Sequence, residues 1–238
     1  MEELLSPSPE QSAVAVLFIG FLFGLYHAIE ADHLAAVSAI VSEHKNPILA
    51  SIIGGFWGLG HTISLFIVGA LVVFVKVQIS EQTEGILEGI VGLMLVLLGL
   101  NAIRKIFSAD EIHSHSHEHD GVEHSHIHAH TKVENGSSHH RFAPRSVAVG
   151  MIHGLAGSAG LMLLVLPTIN SPWLALFYIL IFGIGSIAGM VIMSLLMGLP
   201  LYATADRFAV LNKAIRFAAG GFSLIWGAML FHEKIIAA

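Results

Sequence analysis

The sequence predicts an all-α, polytopic membrane protein with six transmembrane helices, arranged as a 3+3 inverted repeat around a His-rich cytoplasmic loop. Three observations lead to this fold class. Hydrophobic residues make up 55% of the 238 residues, charged residues only 12%, and the mean hydropathy is +0.76. Soluble domains carry about twice that share of charge. Six apolar runs are long enough to cross about 30 Å of hydrocarbon, and the first three resemble the last three.

Four prolines lie near the ends of predicted spans. The six apolar runs are residues 12–41, 47–77, 86–107, 146–169, 173–200 and 210–233. Pro47 and Pro172 lie near the starts of two spans, where a missing N–H is harmless, and Pro167 and Pro200 lie near ends. Segment 12–41 is longer than a perpendicular span requires. We therefore expect it to be tilted, or interrupted near its polar residues.

The distribution of basic residues predicts the orientation. Residues 1–10 are acidic and lack Lys and Arg, so we expect the first apolar run to be a retained span rather than a cleaved signal peptide. Alternation of the spans places nine basic residues on one side: Lys45, Arg104, Lys105, Lys132, Arg141, Arg145, Arg207, Lys213 and Arg216. The other side has Lys76 and Lys234. By the positive-inside rule, both termini are extracytoplasmic in a cytoplasmic (inner) membrane protein.

The two halves share the order and spacing of their glycines and histidines. Gly24-x-x-His27 is repeated as Gly150-x-x-His153, an offset of 126 residues, and Gly60 is repeated as Gly185, an offset of 125. Because each half has three spans, the halves must lie in opposite orientations, as in many secondary transporters. This predicts a first repeat at 1–107, a loop at 108–145 and a second repeat at 146–238.

The loop between the halves is rich in histidine. It carries His113, His115, His117, His119, His124, His126, His128, His130, His139 and His140. Such a segment cannot form a packed core, so we expect a flexible cytoplasmic loop that captures divalent metals loosely. Whether transport requires this loop is left open by the sequence, since a dispensable polar linker has the same composition.

Four ionisable residues lie inside the first apolar run, at His27, Glu30, Asp32 and His33. A charged side chain near the bilayer centre costs about 2.5–3.5 kcal/mol on insertion scales, so such residues usually face a cavity and have a function. Imidazole and carboxylate together suit a divalent transition metal. The cluster therefore predicts an intramembrane metal site, and hydrogen bonding between helices alone is the weaker alternative.

Two geometries are open for this cluster. In an ideal helix, positions 27, 32 and 33 point at about 0°, 140° and 240° and share no face. If His27, Asp32 and His33 hold one ion, the helix must be unwound between them. If the helix is regular, His27, Glu30 and His33 form a stripe, and Asp32 orients an imidazole from outside the ligand set.

Two further histidines are candidate ligands. His61 lies near the middle of the second span, beside Gly60, at about the same depth as His27. His153 is the repeat mate of His27, but Ser158 stands where Asp32 would, so the second half is the weaker ligand donor. At both positions the alternative to a metal ligand is a buried histidine that only forms hydrogen bonds within the protein. Absence of cysteine excludes thiolate ligands and disulfides.

The motif His27-x4-Asp32-His33, followed in the next span by Gly60-His61-Thr62, resembles the signatures of the nickel/cobalt transporter family. The form His153-Gly-Leu-Ala-Gly-Ser158 resembles the short, six-helix urease-accessory branch of nickel permeases. The resemblance implies a permease for Ni²⁺ or Co²⁺ as substrates, with no resident cofactor. It also implies a lipid bilayer environment, cytoplasmic metallochaperones or urease or hydrogenase maturation factors as partners, and no nucleic acid.

The sequence analysis therefore leads to a secondary transporter of nickel, and of cobalt as a second substrate, that works through the His/Asp site. No phosphate-binding Gly-rich loop with Lys is present, so ATP is not the direct energy source, and no nucleophile or acid–base pair points to an enzyme. The membrane potential favours uptake. The alternatives are an efflux protein for nickel, cobalt or another divalent metal, and a membrane metallochaperone that delivers metal to an enzyme.

Overall fold

The computed structural model describes residues 9–42, 44, 46–77, 80–108, 113–119, 122–128, 139–156, 169, 171–205 and 208–237. The helices are α1 Pro9–His27, α2 Ala31–Val41, α3 Pro47–Ala70, α4 Glu81–Ser108, α5 His139–Ala156, α6 Pro172–Thr204 and α7 Ala209–Phe231. Helix α3 continues as a π-helical turn, Leu71–Val75, and α7 continues as another, His232–Ile236. Two strands, β1 His113–His119 and β2 Val122–His128, lie between α4 and α5.

Four of the described helices are long and apolar enough to cross a membrane: Pro47–Val75, Glu81–Phe107, Pro172–Thr204 and Ala209–Ile236. The bent pair α1 and α2 supplies a fifth span if the two helices cross together. Helix α5 begins the predicted span at 146–169, whose remainder lies largely outside the described residues. The chain is therefore a multi-pass helical membrane protein, and the sixth span stays a prediction.

The first predicted span is interrupted. Residues Ala13–His27 and Ala31–Val41 form two helices whose axes differ by 55°. Glu30 precedes α2 in an extended conformation, with φ −63° and ψ 151°. Its backbone N–H donates to the carbonyl of His27, which closes a tight turn between the helices. Of the two alternatives, tilt and interruption, the structure therefore adopts interruption, and the break lies between the polar residues of the cluster.

Close helix contacts rely on glycine. Helix α1 packs on α6, α3 packs on α5 and α6, and α4 packs on α7. A Cβ atom at Gly24 would collide with the backbone carbonyl of Phe182, and one at Gly150 would collide with the backbone carbonyl of Trp57. Small residues at such crossings let two backbones approach within a membrane. These contacts place the end of α1, the middle of α3 and the end of α5 around one point.

The outer face of the bundle is apolar. Exposed side chains such as Phe18, Phe74, Phe177 and Ile225 point away from the packed interior. The interior instead contains polar groups, including four fully buried histidines. An apolar exterior with polar groups in the interior is typical of membrane proteins, because lipid contacts the exterior and ionisable groups are tolerated only inside the bundle.

Outside the helices, the described residues include one antiparallel hairpin, formed by β1 and β2. His113 pairs with His128 and Glu118 pairs with Glu123 along the ladder. The composition predicts a flexible loop here, whereas the structure has a hairpin, and His139 and His140 of the predicted loop lie in α5. The physical signal was the His-x-His alternation, whose period of two residues matches a strand. His130, which was assigned to the same metal-capture segment, lies outside the described residues.

Candidate metal site

The broken first span brings its polar residues together with those of two other helices. His27 is the last residue of α1, and Asp32 and His33 lie in the first turn of α2. His61 comes from the middle of α3, and His153 from the last turn of α5. All four imidazoles are at most 1% exposed. The break explains this convergence, since a regular helix would point positions 27 and 33 in directions about 120° apart.

Three histidines form a first group of potential ligands. Nε2 of His27 lies 3.3 Å from Nε2 of His61. The ring centroid of His33 lies 4.3 Å from that of His27 and 5.1 Å from that of His61. One ring nitrogen from each of the three histidines lies within 4.8 Å of the others. Their ring nitrogens are therefore close enough to one another to bind a single ion together.

Asp32, His33 and His153 form a second group. The Asp32 Oδ1 atom lies 2.9 Å from Nδ1 of His33, and Oδ2 lies 3.0 Å from Nε2 of His153. The backbone N–H of His33 also donates to Oδ1, at 2.8 Å. One ligand atom from each of the three residues lies within 4.8 Å of the others. The Asp32 carboxylate thus bridges α2 and α5 through two imidazoles.

The carboxylate selects the tautomer of His33. An ionised carboxylate only accepts hydrogen bonds, so the ring nitrogen that faces Asp32 must carry the proton. That leaves Nε2 of His33 with a free lone pair, and this atom has no hydrogen-bond partner among the described residues. A buried nitrogen in that state carries an uncompensated desolvation cost. A carboxylate–histidine pair of this kind also orients imidazoles that bind metals.

Glu30 approaches His27 more loosely than Asp32 approaches His33. Its Oε1 atom lies 3.0 Å from Nδ1 of His27, three residues earlier in the chain, and its side chain is 32% exposed. The contact lacks hydrogen-bond geometry, so Nδ1 of His27 has no hydrogen-bond partner among the described residues. Glu30 lies outside both groups of potential ligands, and the arrangement departs from the regular stripe of His27, Glu30 and His33.

Aromatic rings enclose the cluster. The Trp57 ring lies 5.4 Å from the ring of His33 and 5.3 Å from that of His153. The Phe182 ring lies 5.5 Å from that of His27. Sequence reasoning missed Trp57. Its position four residues before His61, on the same face of α3, was the available signal. This apolar wall limits access of water to the imidazoles.

A cavity of about 260 Å³ reaches the cluster from one side. It is lined by Glu30, Ala31, Asp32, Glu88, Val91, Ala156, Trp226 and Leu230. The Glu88 carboxylate forms an ion pair with Lys234, with Nζ 2.7 Å from Oε2. Sequence reasoning missed Glu88, because it lies near the start of α4, where acidic residues are ordinary. The cavity reaches the second group of potential ligands through Asp32, while His33 and His153 stay buried behind it.

Hydroxyl side chains near the site mainly join helices. The hydroxyl of Thr62 donates to the carbonyl of Gly183 at 3.2 Å, and the hydroxyl of Ser64 donates to the carbonyl of Met151 at 2.8 Å. These bonds favour the interpretation of both residues as packing groups. Ser158, the expected counterpart of Asp32, lies outside the described residues.

Comparisons with known proteins agree with this chemistry. The family NicO, described as high-affinity nickel-transport protein, matches residues 13–213. The urease accessory protein UreH of Bacillus sp. (strain TB-90) is 37% identical over 216 residues, which are 90% of this chain and 89% of that protein. No solved structure matches the chain.

Proposed function

The chain belongs to the NicO family of nickel-transport proteins, and from that membership we propose that it takes up Ni²⁺ through the buried histidine cluster. The family transports metal and is not a family of enzymes. The observation that carries the proposal is the convergence of His27, His33 and His61 at the break in the first span. Three imidazoles and a carboxylate inside a membrane protein offer a dehydrated transition-metal ion the ligands it requires.

The roles of the side chains follow from their contacts. We assign Nε2 of His27, His33 and His61 as ligands. Nε2 of His27 lies 3.3 Å from Nε2 of His61, Nε2 of His33 has no hydrogen-bond partner among the described residues, and the three rings form one group of potential ligands. Asp32 holds His33 in the required tautomer and offsets part of the charge of the ion. Glu30 adds a second negative charge next to Nδ1 of His27, at 3.0 Å. His153 is held by Asp32 and stands ready as a further ligand.

The types of side chain in the site restrict which metal ions it can bind. Imidazole suits nickel, cobalt, copper and zinc, and affinity order alone favours copper. The chain has no cysteine, so the thiolate ligands that favour Cu⁺ are absent. We propose Ni²⁺ as the principal substrate, in keeping with the family that matches the chain. We propose Co²⁺ as a second substrate because imidazole ligands suit it as well.

We also propose that the two halves form an inverted repeat. Gly24 lies against the backbone of Phe182, and Gly150 lies against the backbone of Trp57. Gly24 and Gly150 are 126 residues apart, and Trp57 and Phe182 are 125 apart, which are the offsets between the two halves. The contact made by Gly24 in one half therefore corresponds to the contact made by Gly150 in the other. In the same way, Gly92 meets the carbonyl of Gly227, and Gly220 approaches the carbonyl of Gly99. Reciprocal contacts of this kind are what a two-fold relation between halves produces.

The proposed direction is uptake in the cytoplasmic membrane. With both termini extracytoplasmic and the His-rich loop cytoplasmic, the cavity of about 260 Å³ opens toward the outside, where α4 begins and α7 ends. A cavity of only about 30 Å³ lies toward the opposite side, near Arg145. An inside-negative potential favours inward movement of a cation by about 2.3 kcal/mol per charge per 100 mV. We infer that the described conformation admits metal from outside.

Nickel accumulation in cells tests the direction. Cells that express the chain should accumulate more ⁶³Ni²⁺ than cells with an empty vector, and cells preloaded with ⁶³Ni²⁺ should not lose it faster. Faster loss from preloaded cells would identify an efflux protein instead. Replacing His232, an exposed histidine outside the cluster, with Ala provides the control, because it should leave accumulation unchanged.

A metallochaperone is the second candidate, because the similar Bacillus protein is named a urease accessory protein. In that case metal would be bound by the loop and passed to a partner, such as a urease or hydrogenase maturation factor, without crossing the membrane. Replacing the loop histidines with Gln in the full-length chain separates the two. A transporter should keep nickel flux with altered capture at low concentration, whereas a chaperone should lose its function.

A further inference from the structure

We propose that the site holds the transported cation in two overlapping positions that share His33, and that the ion passes from one to the other. The outer position consists of Asp32, His33 and His153, and the inner position consists of His27, His33 and His61. This inference rests on the proposed transport function and adds the step by which the ion advances.

The ring of His33 lies between the two positions. Its centroid is 4.3 Å from that of His27 and 4.3 Å from that of His153, while the centroids of His61 and His153 are 6.1 Å apart. Nδ1 of His33 faces Asp32, and Nε2 has no hydrogen-bond partner among the described residues. The two nitrogens on opposite edges of one imidazole therefore serve different positions.

Only one position holds an ion at a time, because two divalent cations that share one imidazole would repel each other strongly. A neutral imidazole carries one proton. With the ion in the outer position, Nδ1 of His33 binds it and the proton is on Nε2. With the ion in the inner position, Nε2 binds it: water takes up the proton that leaves Nε2, and water in the cavity beside Asp32 returns a proton to Nδ1, which then donates to Asp32. One proton leaves the ring and one enters it, so the ring keeps its charge while the ion advances.

The burial of the ligands sets the order of the two positions. Asp32 lines the cavity of about 260 Å³ together with Glu30 and Glu88, and its side chain is 16% exposed. All four histidines are at most 1% exposed and do not line that cavity, so Asp32 is the ligand that the cavity reaches directly, and Asp32 belongs to the outer position only. An ion from the cavity therefore meets the outer position first, where a carboxylate attracts it, and reaches the inner position by exchanging Asp32 and His153 for His27 and His61.

Cobalt binding tests the two positions directly. The background is the full-length chain with the ten histidines between 113 and 140 replaced by Gln, so that the loop does not contribute. In this background His61→Ala removes a ligand of the inner position, and His153→Ala removes one of the outer position. Purified proteins are titrated with Co²⁺, with equilibrium binding and the visible absorption spectrum as readouts.

Each single variant should still bind Co²⁺, and the two spectra should differ, since one remaining ligand set contains a carboxylate oxygen and the other only nitrogens. The double variant should bind about tenfold more weakly than either, or worse. His232→Ala should behave as the parent. Any variant that does not elute as a monodisperse peak is replaced by the corresponding Gln variant, which keeps a side chain of similar size.

Two results would overturn the inference. Binding and spectrum that are unchanged in His153→Ala, with binding lost in His61→Ala, would mean that Asp32 and His153 only orient His33. Identical spectral changes in both single variants would mean one shared ligand set. Nickel flux, measured on the same proteins in liposomes, separates the test of transport from the test of two positions. Absence of flux in the parent would contradict the proposed transport function. The Co²⁺ spectra of the two single variants would still decide the number of positions.

Discussion

Asp32 contacts two imidazoles that reach it from different helices, at 2.9 and 3.0 Å. The sequence predicted that this residue belongs to the site but left open whether it binds the ion or orients a histidine. Residue spacing could not decide this, because the choice depends on where α5 lies relative to α2. The structure shows the contact of Asp32 to His33 and adds His153 as a second partner. We propose that Asp32 orients His33 while the ion is in the inner position and binds the ion itself in the outer one.

Substitution of Asp32 with Asn tests this contact. The amide keeps the size of the side chain but lacks the charge and presents a donor to one of the two imidazoles. We expect Ni²⁺ affinity to fall about 10- to 100-fold, the usual cost of losing a group that orients a metal ligand. Isothermal titration on the background without loop histidines measures the change. Glu233→Gln is the control, since Glu233 is exposed, and an equal loss there would contradict the role given to Asp32.

The histidines were predictable, but part of their surroundings was not. His27, His33, His61 and His153 stood out because imidazoles inside apolar spans are rare, and the structure brings all four together. Trp57, which packs against two of them, was marked only by its position four residues before His61, a spacing that many aromatic residues of a span can have. Its contacts depend on how α2 and α5 pack against α3, and residue spacing does not determine that packing.

At the scale of the helices, the site depends on the break in the first span, because only the break brings the polar residues of α1 and α2 together. The length of segment 12–41 and its polar residues predicted an interruption as one of two possibilities, and the structure has a bend of 55° there. The bend directs Asp32 and His33 back toward His27. Boundaries of the predicted spans at 47–77, 173–200 and 210–233 agree with the helices to within a few residues, whereas α4 begins at Glu81 rather than at 86 and α5 begins at His139 rather than at 146.

The glycine crossings provide a prediction about stability. A side chain at Gly60 would collide with the backbone of Val147, whereas a Cβ atom at Gly221 would meet nothing within 4 Å. We expect Gly60→Val to lose most of its folded yield, because two backbones would have to separate. Gly221→Ala should be neutral or more stable by up to about 1 kcal/mol, from the higher helix propensity of Ala.

Fluorescence-detected size-exclusion after heating compares the two glycine variants with the parent. Equal stability of Gly60→Val and the parent would show that α3 and α5 do not cross as closely as described. A loss in Gly221→Ala would indicate a further contact at that face of α7.

At the scale of the whole molecule, the orientation is a prediction from charge alone. One predicted side of the membrane carries nine basic residues and the other carries two, so the His-rich loop on the first side is predicted to be cytoplasmic. The arrangement of the helices would be the same in either orientation. The chain contains no cysteine, so single cysteines report sidedness without background.

Cysteines introduced at Glu81 and at Asn135 should behave oppositely in intact cells. A membrane-impermeant maleimide should label Glu81→Cys from outside and should label Asn135→Cys only after the cells are permeabilised. The reverse pattern would invert the orientation and make the cavity at Asp32 open to the cytoplasm. Efflux would then become the favoured direction, because the described conformation would accept metal from inside.

The central claim is that nickel crosses the membrane through the buried histidines, and flux into sealed proteoliposomes tests it most directly. Purified parent, His33→Ala and His232→Ala, all lacking the loop histidines, are compared for entry of ⁶³Ni²⁺ under an inside-negative potential. The account predicts flux in the parent and in His232→Ala, and at least a tenfold loss in His33→Ala, since His33 belongs to both ligand groups. Flux through His33→Ala equal to that of the parent would contradict the account.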